Sequence, residues 1–393
     1  MLKEVTQTDE QPQLTLEGAP QIDEQSRVAS ADVTRTEEKS RLVSLDAFRG
    51  FIMLWIIGGK SLLLGLEQLG SNVVVAALAY ELAHTPWEGL RFYDLIWPAF
   101  MLMVGMSVPF SYAKRSLTES HNQFMLHALK RAAILFLLGS LRTSVSSGSP
   151  TLIELSSALQ PIAVAYLVAA LLVNKSPRIQ AAAGGLILIG YALLLAFVPA
   201  PGVPAGSYQQ ESNLVAAVDV MVLGRTHPEG WGTVLSAIPT IATTILGLLI
   251  GGLLMSSRSN RSKVTIIGLT GLSGVALGLA LSPVAPVVMK LWTTSYGILS
   301  AGWACLFFLC FYWVIDLRGY RKWAFPFVVI GMNAIAAYMG TSLFSLNRIV
   351  GVFTKGIAQS LDPFGALFSA AAVLLVEWLI LLWMYKRKIF IKA

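Results

Sequence analysis

A histidine and an aspartate ten positions apart, His84 and Asp94, are well suited to acid–base chemistry. Pro86 and Gly89 predict that His84 lies in a loop, and Asp94 falls in the first turns of the apolar run that follows. If the loop folds back over the helix end, the carboxylate fixes the tautomer of the imidazole, as a general base requires. A loop histidine without a role, near an aspartate stabilised by the helix dipole, explains the same residues equally well.

A second polar cluster lies at residues 226–233 and contains His227, Glu229 and Trp231. Turn residues beside an interfacial tryptophan are one explanation. The alternative is an acceptor pocket in which Trp231 stacks on a sugar ring and Glu229 binds a hydroxyl or an amine. We add Trp87 and Asn333 to this predicted substrate-binding group, although a hydrogen bond between helices also accounts for Asn333.

A third pair, Asp46 and Arg49, opens the first apolar run of the chain. The two residues are three positions apart and therefore share one helix face. A simple ion pair is one interpretation, with Arg49 extending to the lipid headgroups. The other is a guanidinium that faces inward and binds a phosphate group.

The elements that must position these residues are membrane-spanning helices. Hydrophobic residues make up 55% of the 393 residues and charged residues only 13%, about half the share of a soluble protein. We therefore predict an all-α, polytopic integral membrane bundle of about ten transmembrane helices. The predicted spans are 46–66, 92–113, 127–145, 155–173, 179–198, 235–255, 264–282, 292–315, 324–344 and 364–384.

The distribution of Lys and Arg predicts the orientation of these spans. With a cytoplasmic N-terminus, the inner loops and the C-terminus hold sixteen basic residues and the outer segments hold six. Both termini are therefore predicted to be cytoplasmic, with His84 on the outer side. Residues 1–42 are polar and are predicted to form a disordered cytoplasmic tail, and residues 43–393 form the transmembrane domain.

Other classes of function find little support in the sequence. It contains no phosphate-binding glycine loop, no HExxH and no GxSxG motif. The two cysteines, Cys305 and Cys310, are too few for a metal cluster, and no metal site is expected. The basic residues follow the membrane topology, which argues against nucleic acid as a partner. If the protein is oligomeric, a homodimer is the default expectation.

Six stretches of the sequence resemble the heparan-α-glucosaminide N-acetyltransferase family and its bacterial relatives. They occur in the expected order between residues 41 and 345. They are RLVSLDAFRGF (41–51), HTPWEGLRFYDLIWPAFMLMVGMS (84–107), PEGWGT (228–233), and KLWTTSYGILSAGW with YWVID and GMNAIAAY (290–338).

The resemblance implies that an acetyl group passes from cytoplasmic acetyl-CoA to the amine of a terminal glucosamine at the opposite face of the membrane. His84 matches the catalytic histidine of the family, and the family also has an aspartate where Asp94 stands. The histidine would act as a general base or as a covalent carrier of the acetyl group. The other matches lie in the opening motif, the PEG element and an asparagine-bearing motif: Asp46, Arg49, Glu229 and Asn333.

Two departures from the family pattern concern the expected acceptor side. Lysosomal members have an asparagine shortly before the glycines of the first span, where this chain reads Trp55-Ile56-Ile57-Gly58-Gly59. The PEG element usually follows an aspartate, and here it follows His227. We therefore expect a free amino sugar or a small glycoconjugate as acceptor rather than a heparan-type polymer.

The competing hypothesis is a secondary transporter of an amino sugar or a related solute. In such a protein, Asp94 and His84 would form a proton-coupled pair within the bundle. Both hypotheses place the protein in a lipid bilayer, which we expect to be a bacterial inner membrane. They differ in the requirement for acetyl-CoA, which only the enzyme needs.

Overall fold

A computed structural model describes residues 42–70, 72–153, 155 and 158–391 of the chain. The disordered tail predicted for residues 1–42 thus lies almost wholly outside the described residues. The described part confirms the predicted all-α fold. Its α-helices are α1 Val43–Glu67, α2 Val73–Leu82, α3 Ile96–Arg115, α4 His121–Ser147, α5 Leu159–Leu172, α6 Pro177–Phe197, α7 Leu214–Leu223, α8 Ala237–Met255, α9 Asn260–Leu281, α10 Thr294–Phe311, α11 Phe325–Met332, α12 Ala334–Leu343, α13 Leu346–Ser360 and α14 Gly365–Lys386.

Eight helical segments in the described residues are long and apolar enough to cross a membrane, and a ninth span results if α11 and α12 count as one bent span. Two of these eight include short extensions. A 3₁₀ turn, Phe92–Leu95, precedes α3, and a π-helical turn, Tyr312–Leu317, extends α10. The length and composition of these helices identify an integral membrane protein.

Each of the ten predicted spans corresponds to a helix, but the fourth is short. Helix α5 has 14 residues where a span of 155–173 was predicted. At about 1.5 Å per residue it is roughly 21 Å long, which is less than the hydrocarbon thickness of about 30 Å. Among the described residues, eight segments are thus of spanning length, or nine if the bent pair of α11 and α12 counts as one span, where ten spans were predicted.

The side chain of Gln160 contacts the two described residues Leu152 and Leu155, which precede α5 in the sequence. Its amide nitrogen donates to Ser140 Oγ at 2.9 Å and to the Leu152 carbonyl at 2.8 Å. Its amide oxygen accepts a hydrogen bond from the Leu155 backbone at 2.7 Å. The buried Gln160 thus satisfies backbone groups of Leu152 and Leu155 and ties them to Ser140 of α4.

Glycines set the closest helix contacts of the bundle. A Cβ atom at Gly105 of α3 would lie 1.9 Å from the Thr244 carbonyl of α8, and one at Gly247 would lie 1.9 Å from the Leu102 carbonyl. Helices α9 and α10 approach in the same way at Gly274. Such contacts let backbones pack where lipid provides no hydrophobic driving force between helices.

The loops that carry His84 and Trp231 are both joined to the segment that precedes α10. Glu88 forms an isolated antiparallel bridge with Val288, and Gly89 donates its N–H to the Val287 carbonyl at 2.8 Å. Gly232 donates its N–H to the Lys290 carbonyl at 2.9 Å. The loop of His84 and the loop of Trp231 are therefore fixed against one common strip of backbone.

Candidate active site

His84 and Asp94 form a direct hydrogen bond. The distance from His84 Nδ1 to Asp94 Oδ1 is 2.8 Å. The Asp94 side chain is fully buried, whereas 41% of the His84 side chain is exposed. The carboxylate thus favours the tautomer with a proton on Nδ1, which leaves Nε2 as the nitrogen that can accept a proton from a ligand.

Asp94 is held by four donors in addition to its position in the 3₁₀ turn. Thr85 donates its hydroxyl to Oδ2 at 2.6 Å and its backbone N–H to both carboxylate oxygens, and the Arg91 N–H donates to Oδ2 at 3.0 Å. The Tyr296 hydroxyl donates to the Asp94 carbonyl at 2.7 Å. These bonds satisfy a buried carboxylate and fix the direction in which it presents its oxygen to the imidazole.

Aromatic rings surround the imidazole of His84. The ring centroid of Tyr93 lies 4.7 Å away, and that of Trp231 lies 5.3 Å away with an interplanar angle of 80°. Tyr93 is itself held by a hydrogen bond from its hydroxyl to the Trp55 carbonyl at 3.2 Å. The imidazole is therefore limited in its orientation while one edge remains accessible.

The loop at residues 226–233 presents a carboxylate beside an indole. Trp231 Nε1 donates to Glu229 Oε2 at 3.0 Å, and the Lys290 ammonium donates to the Glu229 carbonyl at 2.7 Å. The indole hydrogen bond, assisted by the charges of His227, Lys60 and Lys290, outweighs partial burial and lowers the pKa of Glu229 below its usual range. Glu229 therefore stays ionised in mildly acidic conditions.

Asp219 fixes this loop from α7. Its carboxylate accepts hydrogen bonds from the Thr233 N–H at 2.9 Å, the Thr233 hydroxyl at 2.8 Å and the Val234 N–H at 2.9 Å. Burial raises the pKa of Asp219, and these donors act against that rise. The loop that carries Glu229 and Trp231 is thus anchored by a residue that the sequence analysis did not single out.

A cavity of about 480 Å³ joins the His84 pair to the Trp231 loop. This volume falls in the ordinary range of small-molecule sites. The cavity continues between α1, α3, α5 and α12. Its lining residues are Met53, Ile56, His84, Tyr93, Asp94, Ile96, Trp97, Phe100, Arg142, Ala158, Leu159, Ile162, His227, Glu229, Trp231, Met289, Ala334, Ile335 and Tyr338.

Arg142 is the cation of this cavity that sequence reasoning missed. Its guanidinium lies over the ring of Tyr338 at 4.1 Å, and within the described part of the chain it makes no hydrogen bond or ion pair. A guanidinium on a cavity wall with open donors suits a carbonyl oxygen or an anionic group of a ligand. In the sequence analysis, Arg142 is only one of the six basic residues assigned to the outer segments. It lies 58 positions after His84, and that spacing does not predict that both line one cavity.

The structure separates Trp87 from the cavity. The Trp87 indole donates to the Tyr208 carbonyl at 2.8 Å, and its ring lies behind Gly230. It packs with Tyr191 and Leu214 in an apolar cluster below the loops. Trp87 therefore supports the loop of Glu229 from behind and does not line the cavity.

Asn333 lies at the break between α11 and α12, where the two helices meet at a bend of 62°. It is completely buried, and its amide donates to the Ile389 carbonyl and accepts from the Ile391 N–H, both at 3.0 Å. Both ends of the amide are thus engaged by the segment after α14. The cavity lining begins at the next residue, Ala334.

Asp46 and Arg49 meet at the N-terminal end of α1. Arg49 contacts Asp46 Oδ1 at 3.3 Å and donates to Ser107 Oγ of α3 at 2.9 Å. Gly59 of α1 packs against Tyr93. Arg49 precedes Gly59 by ten residues, which is roughly 15 Å along the helix axis. Met53 lies one helical turn from Arg49 and lines the cavity, so the cavity extends towards this pair.

No group of three or more His, Cys, Asp or Glu side chains that could hold a metal ion occurs in the described residues. The polar groups around His84 are instead arranged as a hydrogen-bonded pair, a carboxylate–indole pair and one guanidinium. Such a set suits proton transfer and the binding of a polar organic molecule.

Comparison with known proteins reveals one distant relationship. The human heparan-alpha-glucosaminide N-acetyltransferase is 25% identical to this chain over 327 residues, which cover 66% of this chain and 48% of the human protein. The two proteins are distantly related. The chain spans about half the length of this curated relative, and no family model matches the sequence.

Proposed function

We propose that this protein is an integral-membrane acetyltransferase. It moves an acetyl group from acetyl-CoA on the cytoplasmic side to the amine of a glucosamine-type sugar on the outer side. The observation that most directly supports this proposal is the 2.8 Å hydrogen bond between His84 and the buried Asp94 on the wall of a cavity. The distant relationship to a human N-acetyltransferase supports acetyl transfer as the reaction.

His84 takes the proton that the sugar amine must lose. The amine nitrogen attacks the thioester carbon, the C–S bond breaks, and the CoA thiolate leaves. His84 Nε2 accepts the amine proton and returns it to the thiolate. Alternatively, Nε2 first accepts the acetyl group and then passes it to the amine. Arg142 is oriented to bind the carbonyl oxygen, on which negative charge develops in either route.

The donor enters from the end of the bundle where Asp46 and Arg49 lie. Arg49 has a guanidinium suited to an anionic CoA group, and its partner Asp46 directs it. The apolar cavity wall between Met53 and Trp97 fits the long arm that must carry the thioester to His84. This route accounts for the extension of the cavity from His84 and Asp94 towards Arg49.

The acceptor binds at the outer mouth of the cavity, between His84 and the Glu229–Trp231 pair. Trp231 provides a face for a sugar ring, and the ionised Glu229 attracts a protonated amine or binds a hydroxyl. Asp219 holds this loop in place. The outer location of His84 follows from the greater number of basic residues in the opposite loops.

The test is release of free thiol by the purified full chain in detergent, supplied with acetyl-CoA in the presence and absence of glucosamine. Release that depends on glucosamine, together with an acetylated product in mass spectrometry, supports the proposal. Release without an acceptor and a protein mass increased by one acetyl group identifies the covalent route.

Absence of both CoA binding and thiol release with every amino sugar tried would contradict the proposal. Uptake of labelled glucosamine into proteoliposomes would then test the transporter hypothesis. The two functions are distinguishable because only the enzyme consumes acetyl-CoA.

A further inference from the structure

A second polar cavity lies on the other side of α1 from the candidate active site. Its volume is about 340 Å³. Ile56 of α1 lines the first cavity, whereas Ile57, Gly58 and Ser61 line the second. Helix α12 contributes Ala334, Ile335 and Tyr338 to the first cavity and Thr341 to the second. The two cavities are therefore neighbours at one level of the bundle, separated by α1 and α12.

Opposite charges line the second cavity. Glu377 projects from the middle of α14, and its Oε2 is buried without a hydrogen-bond partner among the described residues. Arg348, in the first turn of α13, lines the same cavity and makes no ion pair within the described ranges. A buried carboxylate oxygen without a donor is costly, which points to a ligand that supplies an N–H or O–H group.

Helix α13 places the entrance of this cavity at a membrane surface. Its apolar residues Ile349, Val352, Phe353 and Ile357 share one face, and each is more than half exposed. An amphipathic helix with such a face lies in the interface, with its apolar side among acyl chains. Arg348, near the beginning of this helix, is then at the depth of lipid headgroups.

We propose that this second cavity binds a phosphoethanolamine group, with the ammonium on Glu377 and the phosphate on Arg348. The position of α13 indicates an aminophospholipid as the source of this group. The ammonium supplies N–H donors to the buried Oε2, and the guanidinium pairs with the phosphate. A choline headgroup has no N–H and leaves Oε2 without a donor.

The test compares two short-chain lipids with identical acyl chains, a phosphatidylethanolamine and a phosphatidylcholine, on the full chain in detergent. Binding to the folded state raises the midpoint of thermal unfolding. We expect a rise of several degrees with phosphatidylethanolamine and little change with phosphatidylcholine. Native mass spectrometry should show one retained phosphatidylethanolamine per chain.

Three variants localise the effect. Glu377→Gln should abolish the preference for phosphatidylethanolamine. Arg348→Gln removes the partner of the phosphate and should reduce the rise with phosphatidylethanolamine itself, which keeps the test valid if Glu377→Gln does not fold. Lys355→Gln, which removes the other cation of α13 away from the cavity lining, should retain the preference. Equal responses to both lipids in the unmodified protein overturn the proposal. So does a full response to phosphatidylethanolamine that both cavity variants retain.

Free phosphoethanolamine identifies the source of the group. If it raises the midpoint as strongly as the lipid does, the site takes a soluble ligand of the same chemistry. If only the lipid acts, the site is for a membrane lipid. Neither result depends on acetyl transfer, because the second cavity shares no lining residue with the first.

Discussion

The described residues include two histidine–carboxylate pairs that look alike in isolation. His84 contacts Asp94 at 2.8 Å, and His127 contacts Glu119 at 3.0 Å. The histidine side chains are similarly exposed, at 41% and 45%, but that of Asp94 is fully buried and 21% of that of Glu119 is exposed. The pairs therefore differ in the carboxylate and not in the histidine.

The surroundings of each pair account for this difference. Glu119 is shared with Arg115 at 3.0 Å, and His127 lies on the first turns of α4. Among the residues that the structure describes, Asp94 has no Lys or Arg side chain in contact, and it is held by hydroxyl and backbone donors within a cavity rimmed by aromatic rings. A cation neutralises the first carboxylate, whereas the second directs its charge to the imidazole. Contact distance alone thus does not identify a catalytic pair.

The largest expected effect is that of replacing His84, with the same replacement of His127 as its control. His84→Ala should lower kcat/KM for acetyl transfer by about 10³-fold, since general acid–base groups contribute roughly 10²–10⁴-fold. His127→Ala, the matched control, should change it by less than about twofold. Thiol release by the two purified variants measures both. Comparable losses in the two variants would remove the distinction between the pairs.

Replacing each carboxylate by the corresponding amide should have the next largest effect. Asp94→Asn keeps the shape but weakens the hold on the Nδ1 proton, so we expect kcat to fall by about 100-fold with little change in the KM of either substrate. Glu119→Gln should leave kcat unchanged. A loss confined to KM, or one matched by unfolding in detergent, would assign Asp94 a purely structural role.

Arg49 tests whether the donor enters at the far end of the cavity. Arg49→Ala should raise the KM for acetyl-CoA by roughly tenfold, the amount expected from one lost charge-assisted hydrogen bond, and leave the KM for the amino sugar unchanged. Ser107→Ala removes one hydrogen-bond partner of Arg49 and keeps the guanidinium, so it should have a smaller effect. Equal increases in both KM values would show that the pair only joins α1 to α3.

The smallest effect concerns Glu229 and its pH dependence. The pKa of Glu229 is lowered chiefly by the Trp231 indole, so the carboxylate stays ionised, and contributes to acceptor binding, at a lower pH than an ordinary Glu side chain would. Trp231→Phe removes that donor and keeps a ring. The pKa should rise towards 4.5, and the acid limb of the acceptor KM profile should move to higher pH. An unmoved limb would exclude Glu229 from acceptor binding.

Prediction from the sequence was most successful where contacts are local. The three-residue spacing of Asp46 and Arg49 fixes a shared helix face, and the pair forms as predicted. The apolar runs locate every helix of spanning length, because burial in lipid needs only a continuous apolar segment. The short length of α5 was not predicted. The predicted span begins at residue 155, whereas α5 begins at Leu159 and the Leu155 N–H bonds to the side chain of Gln160.

Other predictions depended on contacts that spacing along the chain does not determine. The sequence marked Trp87 and Asn333 as substrate-binding, but their polar groups bond to Tyr208 and to the segment at Ile389 and Ile391. It gave no signal that Arg142 lies in the same cavity as His84.

The sequence by itself determined that this is a helical membrane protein and that His84, Asp94 and Glu229 stand near helix ends, because hydropathy and turn residues act over short distances. Only the tertiary structure decided that His84 bonds to Asp94, and that a loop more than a hundred residues further along the chain brings Trp231 against the same imidazole. Such contacts depend on how helices pack and how loops are pinned, here through Val287, Val288 and Lys290. Packing is a property of the whole chain, and no local pattern encodes it.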